Sequence, residues 1–195
     1  MKLRDLVRAV GLTGQALAVG RYSATTEGRA VDRELFEAAN KGSGPGADRF
    51  FAGVTELGSL YAVGAAAAAI GVAGRRRAAA RALAAAGTTW VLLQGVKRVA
   101  KRSRPYQADP DGTRRMIAEP QGASWPSSHP AVLTAFTRVA SRELGIGAIA
   151  RGALGGLDLS VAASRVYLGV HYPSDVVSGL LLGRAVARLW PSGGN

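Results

Sequence analysis

The sequence predicts an all-α protein: a membrane helical bundle of about five transmembrane helices with an N-terminal interfacial amphipathic arm. Three observations predict it. Residues 57–74 carry no charge and end at Arg75-Arg76-Arg77, as expected of a spanning helix with a basic stop. A second uncharged run, 82–96, is bounded by Arg81 and Lys97. The first turns place Leu3, Leu6, Val7 and Val10 at helical spacing beside Lys2, Arg4 and Arg8, the pattern of a basic helix lying on a lipid surface. With 195 residues the chain is large enough for one real core. We expect residues 1–49 to form the arm and residues 50–191 the membrane-embedded domain.

The elements follow in order. Residues 3–19 read as the arm helix and 20–30 as a loop. Residues 31–39 read as a second short helix with Leu35, Phe36 and Ala39 on one face. Asn40-Lys41-Gly42-Ser43-Gly44-Pro45-Gly46 then breaks the chain. The two uncharged runs supply the next helices, with Trp90 inside the second. Residues 102–128 form a long polar connection rich in Pro, Asp and Gly, of the kind that is functional or disordered. Three amphipathic helices follow at about 129–143, 148–168 and 174–190. They are interrupted by Arg138, Asp158, Arg184 and Arg188. An ionisable group at membrane depth is costly unless paired or turned inward, so Asp158 is expected to pair with Arg138 or Arg184 inside the bundle.

Composition narrows the chemistry. Lys and Arg number 25 against 13 Asp and Glu, a net charge of +12 with a pI of about 11.1. Such a balance favours anionic partners: nucleic acid, an anionic lipid surface or a phosphorylated substrate. Long apolar stretches separate the basic clusters, and no helix-turn-helix, zinc-finger or aromatic ribonucleoprotein pattern occurs, which argues against nucleic acid. The absence of cysteine excludes disulfides, thiolate catalysis and cysteine zinc sites. The two histidines are not in HExxH spacing, so neither a metal nor a cofactor is expected. No signal peptide is expected either.

Both histidines lie in short blocks suited to phosphate. Lys97 and Arg104-Pro105 form the first. If helical, Lys97 and Arg104 lie two turns apart on one face, with Lys101 between them and Pro105 ending the helix. Phosphate favours several converging cations, and the arginine fork matches its oxygens. The second block is Pro126-Ser127-Ser128-His129. Its serines are N-cap candidates, its helix start attracts an anion, and His129 is placed to protonate a leaving oxygen. The third block, Ser164-Arg165-x5-His171-x3-Asp175, is the most specific. Asp175 is one helical turn from His171 and can hold its ring N–H, leaving the other nitrogen to attack phosphorus. Arg165 can bind phosphate from the opposite side. Together the blocks form an inventory for phosphoryl transfer through a histidine.

In order and spacing these blocks resemble the type 2 phosphatidic acid phosphatase family, which also includes bacterial acid phosphatases and vanadium haloperoxidases. That family carries K-x6-R-P, then P-S-G-H, then S-R-x5-H-x3-D. The first and third are intact here, and Ser128 stands at the glycine of the second. The resemblance spans roughly residues 50–190. It implies that Lys97, Arg104 and Arg165 bind phosphate oxygens, with the Ser127 hydroxyl and the Ser128 backbone N–H as further donors. It also implies that His171 becomes phosphorylated, that Asp175 orients it, and that His129 protonates the leaving group and then activates water. A left-handed backbone at position 128 would strain a serine, whereas ordinary helix-start geometry would accept it.

The apolar runs match the integral-membrane branch of the family. The expected protein is a metal-independent, multi-pass lipid phosphatase of the cell membrane. Its substrate classes are polyprenyl phosphate or diphosphate, phosphatidate, phosphatidylglycerol phosphate or a polyprenyl-linked phosphosugar. A vanadate-dependent haloperoxidase-like enzyme and a non-catalytic basic scaffold are the alternatives. Oligomeric state is not legible. With five spans, all three blocks meet at one face, leaving Arg75-Arg76-Arg77, Arg142 and Arg151 at the other.

Overall fold

The computed structural model describes residues 2–191, and all regular structure among them is helical. The helices are α1 (Leu3–Tyr22), α2 (Thr26–Asn40), α3 (Pro45–Glu56), α4 (Leu60–Val72), α5 (Arg76–Ala100), the single turn α6 (Pro105–Ala108), α7 (Ser128–Glu143), α8 (Ala148–Tyr167) and α9 (Pro173–Leu189). Helix α7 lies at the centre, packed against α5, α8 and α9. Helix α1 runs along α9, and α3 lies along α8.

Several local expectations change. The loop expected over 20–30 shrinks to a tight turn, because Thr25 Oγ1 accepts from the Gly28 N–H at 3.0 Å and starts α2 five residues early. The run 57–74 is not one helix. The chain leaves α3 at Leu57, and Ser59 restarts α4 by accepting from the Ala62 N–H at 3.1 Å. Between them, Gly58 fits where an added Cβ would stand 2.7 Å from Val161 Cγ1 and 3.0 Å from His129 Cβ. Among the described residues no single helix is long and apolar enough to cross a membrane. Helices α3 and α4 are so only as a pair, bent by 63°. Hydropathy averages over this break, whereas a glycine followed by a capping serine makes it.

Asp158 is buried as expected, but its hydrogen-bond partner is not an arginine. Thr137 Oγ1 lies 3.1 and 3.3 Å from its two carboxylate oxygens. A neighbouring helix presents a hydroxyl at the right depth, while Arg138 and Arg184 line the same cavity as Asp158 without hydrogen-bonding to it. The connection 102–128 is ordered by long-range bonds. Asn40 Nδ2 donates to the carbonyls of Arg114 (3.0 Å) and Tyr167 (2.8 Å), and its Oδ1 accepts from the Arg114 N–H at 2.8 Å.

The core is built largely of alanine. Ala82, Ala85 and Ala86 of α5 meet Val132, Phe136 and Val139 of α7, with Val63 and Val161 completing the layer. Small side chains bury little area each, so cohesion depends on close helix approach and dense contact. The tightest approach is α7 on α9. A Cβ at Gly179 would strike the Ser127 carbonyl oxygen, and one at Gly183 the Ala131 carbonyl oxygen. The outer faces are apolar: Val7 and Val10 on α1, Tyr61 and Val72 on α4, and Val91 and Leu92 on α5 are all exposed.

Gly183→Leu must push α9 off α7 and is expected to destabilise by about 2–3 kcal/mol, read as a lowered melting temperature in detergent. Gly11→Ala, whose Cβ meets nothing within 4 Å, is the control and should be neutral or stabilising by about 0.5–1 kcal/mol.

Candidate active site

Three chain segments converge where α7, α8 and α9 have their ends. Helix α8 finishes at Tyr167, and Gly169 then adopts φ +80°. Here a left-handed residue must pass close to the backbone of Arg114, where a side chain would collide. This turn delivers His171, which is 2% exposed, just ahead of α9. Asp175, at the third position of α9, turns back so that Oδ2 accepts from the Tyr172 N–H at 2.9 Å. The same oxygen lies 3.4 Å from His171 Nδ1. The start of α7 is tied to the start of α9 by the Ser127 N–H donating to the Asp175 carbonyl at 3.0 Å.

The other ring nitrogen faces a cation. Arg104 Nη1 stands 3.1 Å from His171 Nε2. Guanidinium only donates, so Nε2 carries the lone pair and Nδ1 the proton. The tautomer is therefore the one that leaves Nε2 nucleophilic. Arg104 is fully buried, and its remaining N–H groups reach the carbonyls of Val170 (2.9 Å), Gly122 (3.1 Å), Gln121 (3.2 Å) and Ala123 (3.4 Å). It clamps two loops together, and one N–H is left to the imidazole.

Lys97 and Arg104 do not share a helical face. Helix α5 ends at Ala100, Lys101 adopts φ 45°, and Arg104 is extended at ψ 159°. Lys97 arrives from the last turn of α5, nine-tenths buried. Arg165 arrives from the last turn of α8, where Nη1 donates to Thr55 Oγ1 at 2.9 Å while its buried Nε has no acceptor. Ser127 occupies the N-cap position of α7 without using its hydroxyl as a cap. Both Ser127 Oγ and Ser128 Oγ are buried without partners. Lys101 is the only described non-glycine residue with positive φ, so Ser128 sits in ordinary helix-start geometry and carries no strain. His129 follows in the first turn of α7, against Gly58.

His171 lies within the electrostatic reach of Arg104, Arg165, Lys97 and His129. Burial, followed by the charges of Arg104, Arg165 and Lys97 and by His129, pushes the His171 imidazole well below the usual histidine range.

Sequence reasoning missed four contributors. Ser124 Oγ donates to Asp175 Oδ2 at 2.5 Å and lies 3.4 Å from His171 Nδ1. Arg102 Nη1 donates to the other carboxylate oxygen, Asp175 Oδ1, at 2.7 Å, while its Nη2 pairs with Asp32 at 2.6 Å. Asp32 itself, on α2, also accepts from the Ser174 N–H at 2.9 Å. Thr55 holds Arg165. Arg102 lies inside the first block with nothing to distinguish it from its basic neighbours. Asp32 is the one carboxylate on an otherwise inward-facing stripe with Gly28, Phe36 and Asn40, a usable signal.

Because the folded imidazole stays neutral below 6.5 while the unfolded chain takes up a proton there, the unfolded state binds more protons. Stability from this group is full above that pH. It falls by about 1.4 kcal/mol per unit below it, until the folded ring also protonates. Melting temperature should therefore drop more steeply from about pH 7 to about pH 5 in the wild type than in His171→Asn. Equal slopes would mean that the ring is already charged in the fold.

Comparison with known proteins follows the same geometry. The chain is 37% identical over 84 residues to a decaprenylphosphoryl-5-phosphoribose phosphatase of Mycolicibacterium smegmatis, covering 43% of this chain and 42% of that protein. It is 35% identical over 105 residues to the protein of that name from Mycobacterium tuberculosis, covering 51% of each. The matched region thus spans about half the length of these curated relatives. Its fold is similar to that of a transmembrane PAP2 type phosphatidylglycerolphosphate phosphatase from Bacillus subtilis (TM-score 0.75, 23% identity, 93% of each chain). It is also similar to Aquifex aeolicus LpxE (TM-score 0.72, 25% identity, 80% of this chain and 92% of that one). With the PAP2 superfamily profile matching residues 78–193, a stretch that holds Lys97, Arg104, His129, Arg165, His171 and Asp175, this chain belongs to the PAP2 superfamily.

Proposed function

We propose that this chain is a membrane phosphatase that hydrolyses a lipid phosphate or diphosphate through a phosphohistidine at His171. One observation carries the reading: a buried neutral imidazole is held between Arg104 on Nε2 and Asp175 on Nδ1. Among the substrate classes considered, the names of the mycobacterial relatives favour a phosphosugar carried on a polyprenyl chain. The exposed apolar faces of α1, α4 and α5 favour a multi-pass setting in lipid. On this reading residues 50–191 hold the phosphatase and residues 1–49 an arm that braces it through Asp32 and Asn40.

The chemistry follows from the donors. The phosphoryl oxygens take the charge of Lys97, the unpartnered Nε of Arg165, the hydroxyls of Ser127 and Ser128, and the one Arg104 N–H that leaves Nε2 as substrate enters. These groups stabilise the spread charge of the transferring PO3 unit. Nε2 forms the P–N bond as the P–O bond to the lipid breaks. The leaving oxygen takes its proton from His129, which acquires that proton as the anionic substrate offsets the surrounding charges of Arg165, Lys97 and Arg104. Asp175 accepts from Nδ1–H and stabilises the imidazolium that forms. In the second step His129 takes a proton from water, hydroxide attacks phosphorus, the P–N bond breaks and inorganic phosphate leaves. The cations supply the electrophilic assistance a metal would give, so the scheme needs none.

Phosphate release from a polyprenyl phosphosugar in detergent should persist with EDTA present. His171→Ala should abolish it, and His129→Ala should slow it by about 10²–10⁴ while an acid-labile phosphoryl adduct accumulates on the peptide containing His171. Unchanged turnover in His171→Ala would end this reading. Asp32 acts at one remove, through Arg102. Asp32→Asn should lower kcat roughly tenfold or more with KM little altered, whereas a merely weakened fold would lower the active fraction and leave kcat per folded molecule unchanged.

A further inference from the structure

At the opposite end of the bundle from His171 lies a cavity of about 490 Å³ between α7, α8 and α9, with Leu12 of α1 at its wall. Five arginines line it: Arg138 and Arg142 from α7, Arg151 from α8, and Arg184 and Arg188 from α9. Asp158 is the single carboxylate among its lining residues. Arg138 lies nine residues beyond His129, and Arg188 thirteen beyond Asp175. At ~1.5 Å per helical residue they stand roughly 14 and 20 Å along their helices from the catalytic end. The cluster therefore takes no part in the chemistry at His171.

Its charges are poorly compensated from within. Asp158 is engaged by Thr137. Arg142 is committed to the end of α9, donating to the carbonyls of Ala187 (3.1 Å) and Trp190 (2.9 Å). Arg188 reaches Asp5 only at 3.8 Å. The guanidiniums of Arg138, Arg151 and Arg184 donate no hydrogen bond to any described residue, and Arg184 Nε is buried without an acceptor. Like charges converging on one hollow repel one another, and an unmatched buried N–H is costly. Planar guanidiniums arriving from three helices are matched by one ligand class above others, a phosphate-type anion with several oxygens. The apolar outer faces of α1 and α8, with Val10 and Ile149 exposed, flank it as acyl chains would require. Basic pockets between membrane helices hold anionic head groups in this way.

We propose that this cavity is a second anion site that binds a phosphate-bearing group, separate from the catalytic hollow. The group is either the head group of an anionic phospholipid or a soluble phosphate. The assignment does not depend on the chemistry proposed for His171. The full chain in phosphatidylcholine nanodiscs is melted with and without added cardiolipin, and separately with added inorganic pyrophosphate. Binding in either arm should raise the melting temperature by about 5 °C or more at saturation, and the arm that responds identifies the source. The R138Q/R184Q double variant should lose at least half of that rise, while His171→Ala should keep it. If the double variant does not fold, a photoactivatable phospholipid on the wild type decides: labelled peptides should contain Arg138, Arg151 or Arg184. No shift in either arm, a shift of equal size in the double variant, a shift lost in His171→Ala, or labelling confined to other surfaces would overturn the proposal.

Discussion

The structure depends on keeping one imidazole uncharged in a buried, strongly positive hollow. His171 meets a guanidinium on one nitrogen and a carboxylate on the other. Each contact limits the other. Arg104 forces the lone pair onto Nε2, which places the proton on Nδ1, and only an acceptor such as Asp175 can satisfy that proton. Burying so many polar groups is tolerable only when nearly all are paired. The unpaired ones, Ser127 Oγ, Ser128 Oγ and Arg165 Nε, are the donors that the proposed phosphoryl transfer would use.

Holding that arrangement demands support from distant parts of the chain. Asp175 serves as helix-start acceptor, ring partner and anchor for Arg102 at once. Arg102 in turn rests on Asp32 of α2, so a helix outside the stretch matched by the superfamily profile reaches Asp175 in two steps. The small residues do comparable work. Gly179 and Gly183 let α9 lie on the backbone of α7, which brings the second and third chemical blocks within a hydrogen bond of each other. Gly58 admits the bend of α3 and α4 against His129.

The two ends of the bundle solve the problem of clustered cations differently. At the His171 end Arg102, Arg104 and Arg165 are each fixed by acceptors from separate elements. At the far end the guanidiniums of three of five arginines donate to no described residue, the contrast on which the proposed anion site rests.

Much of the fold was legible in the chain because helix signals are local. The last three helices fall within a residue or two of where capping and periodicity put them. The three chemical blocks were legible because each holds its chemistry within a few positions. The break at Leu57-Gly58-Ser59 was hidden by averaging over an apolar run, and Asp158 was assigned an arginine because charge suggested one when Thr137 was nearer. Ser124, Arg102 and Thr55 could not be read at all, and Asp32 only as a carboxylate on a buried stripe, since each matters through a partner between 51 and 110 residues away. The sequence by itself determined which groups are present and which stretches are helical, because those are properties of short segments. Only the tertiary structure decided which nitrogen of His171 carries the proton and which cations stay uncommitted, because both depend on atoms brought together from distant parts of the chain.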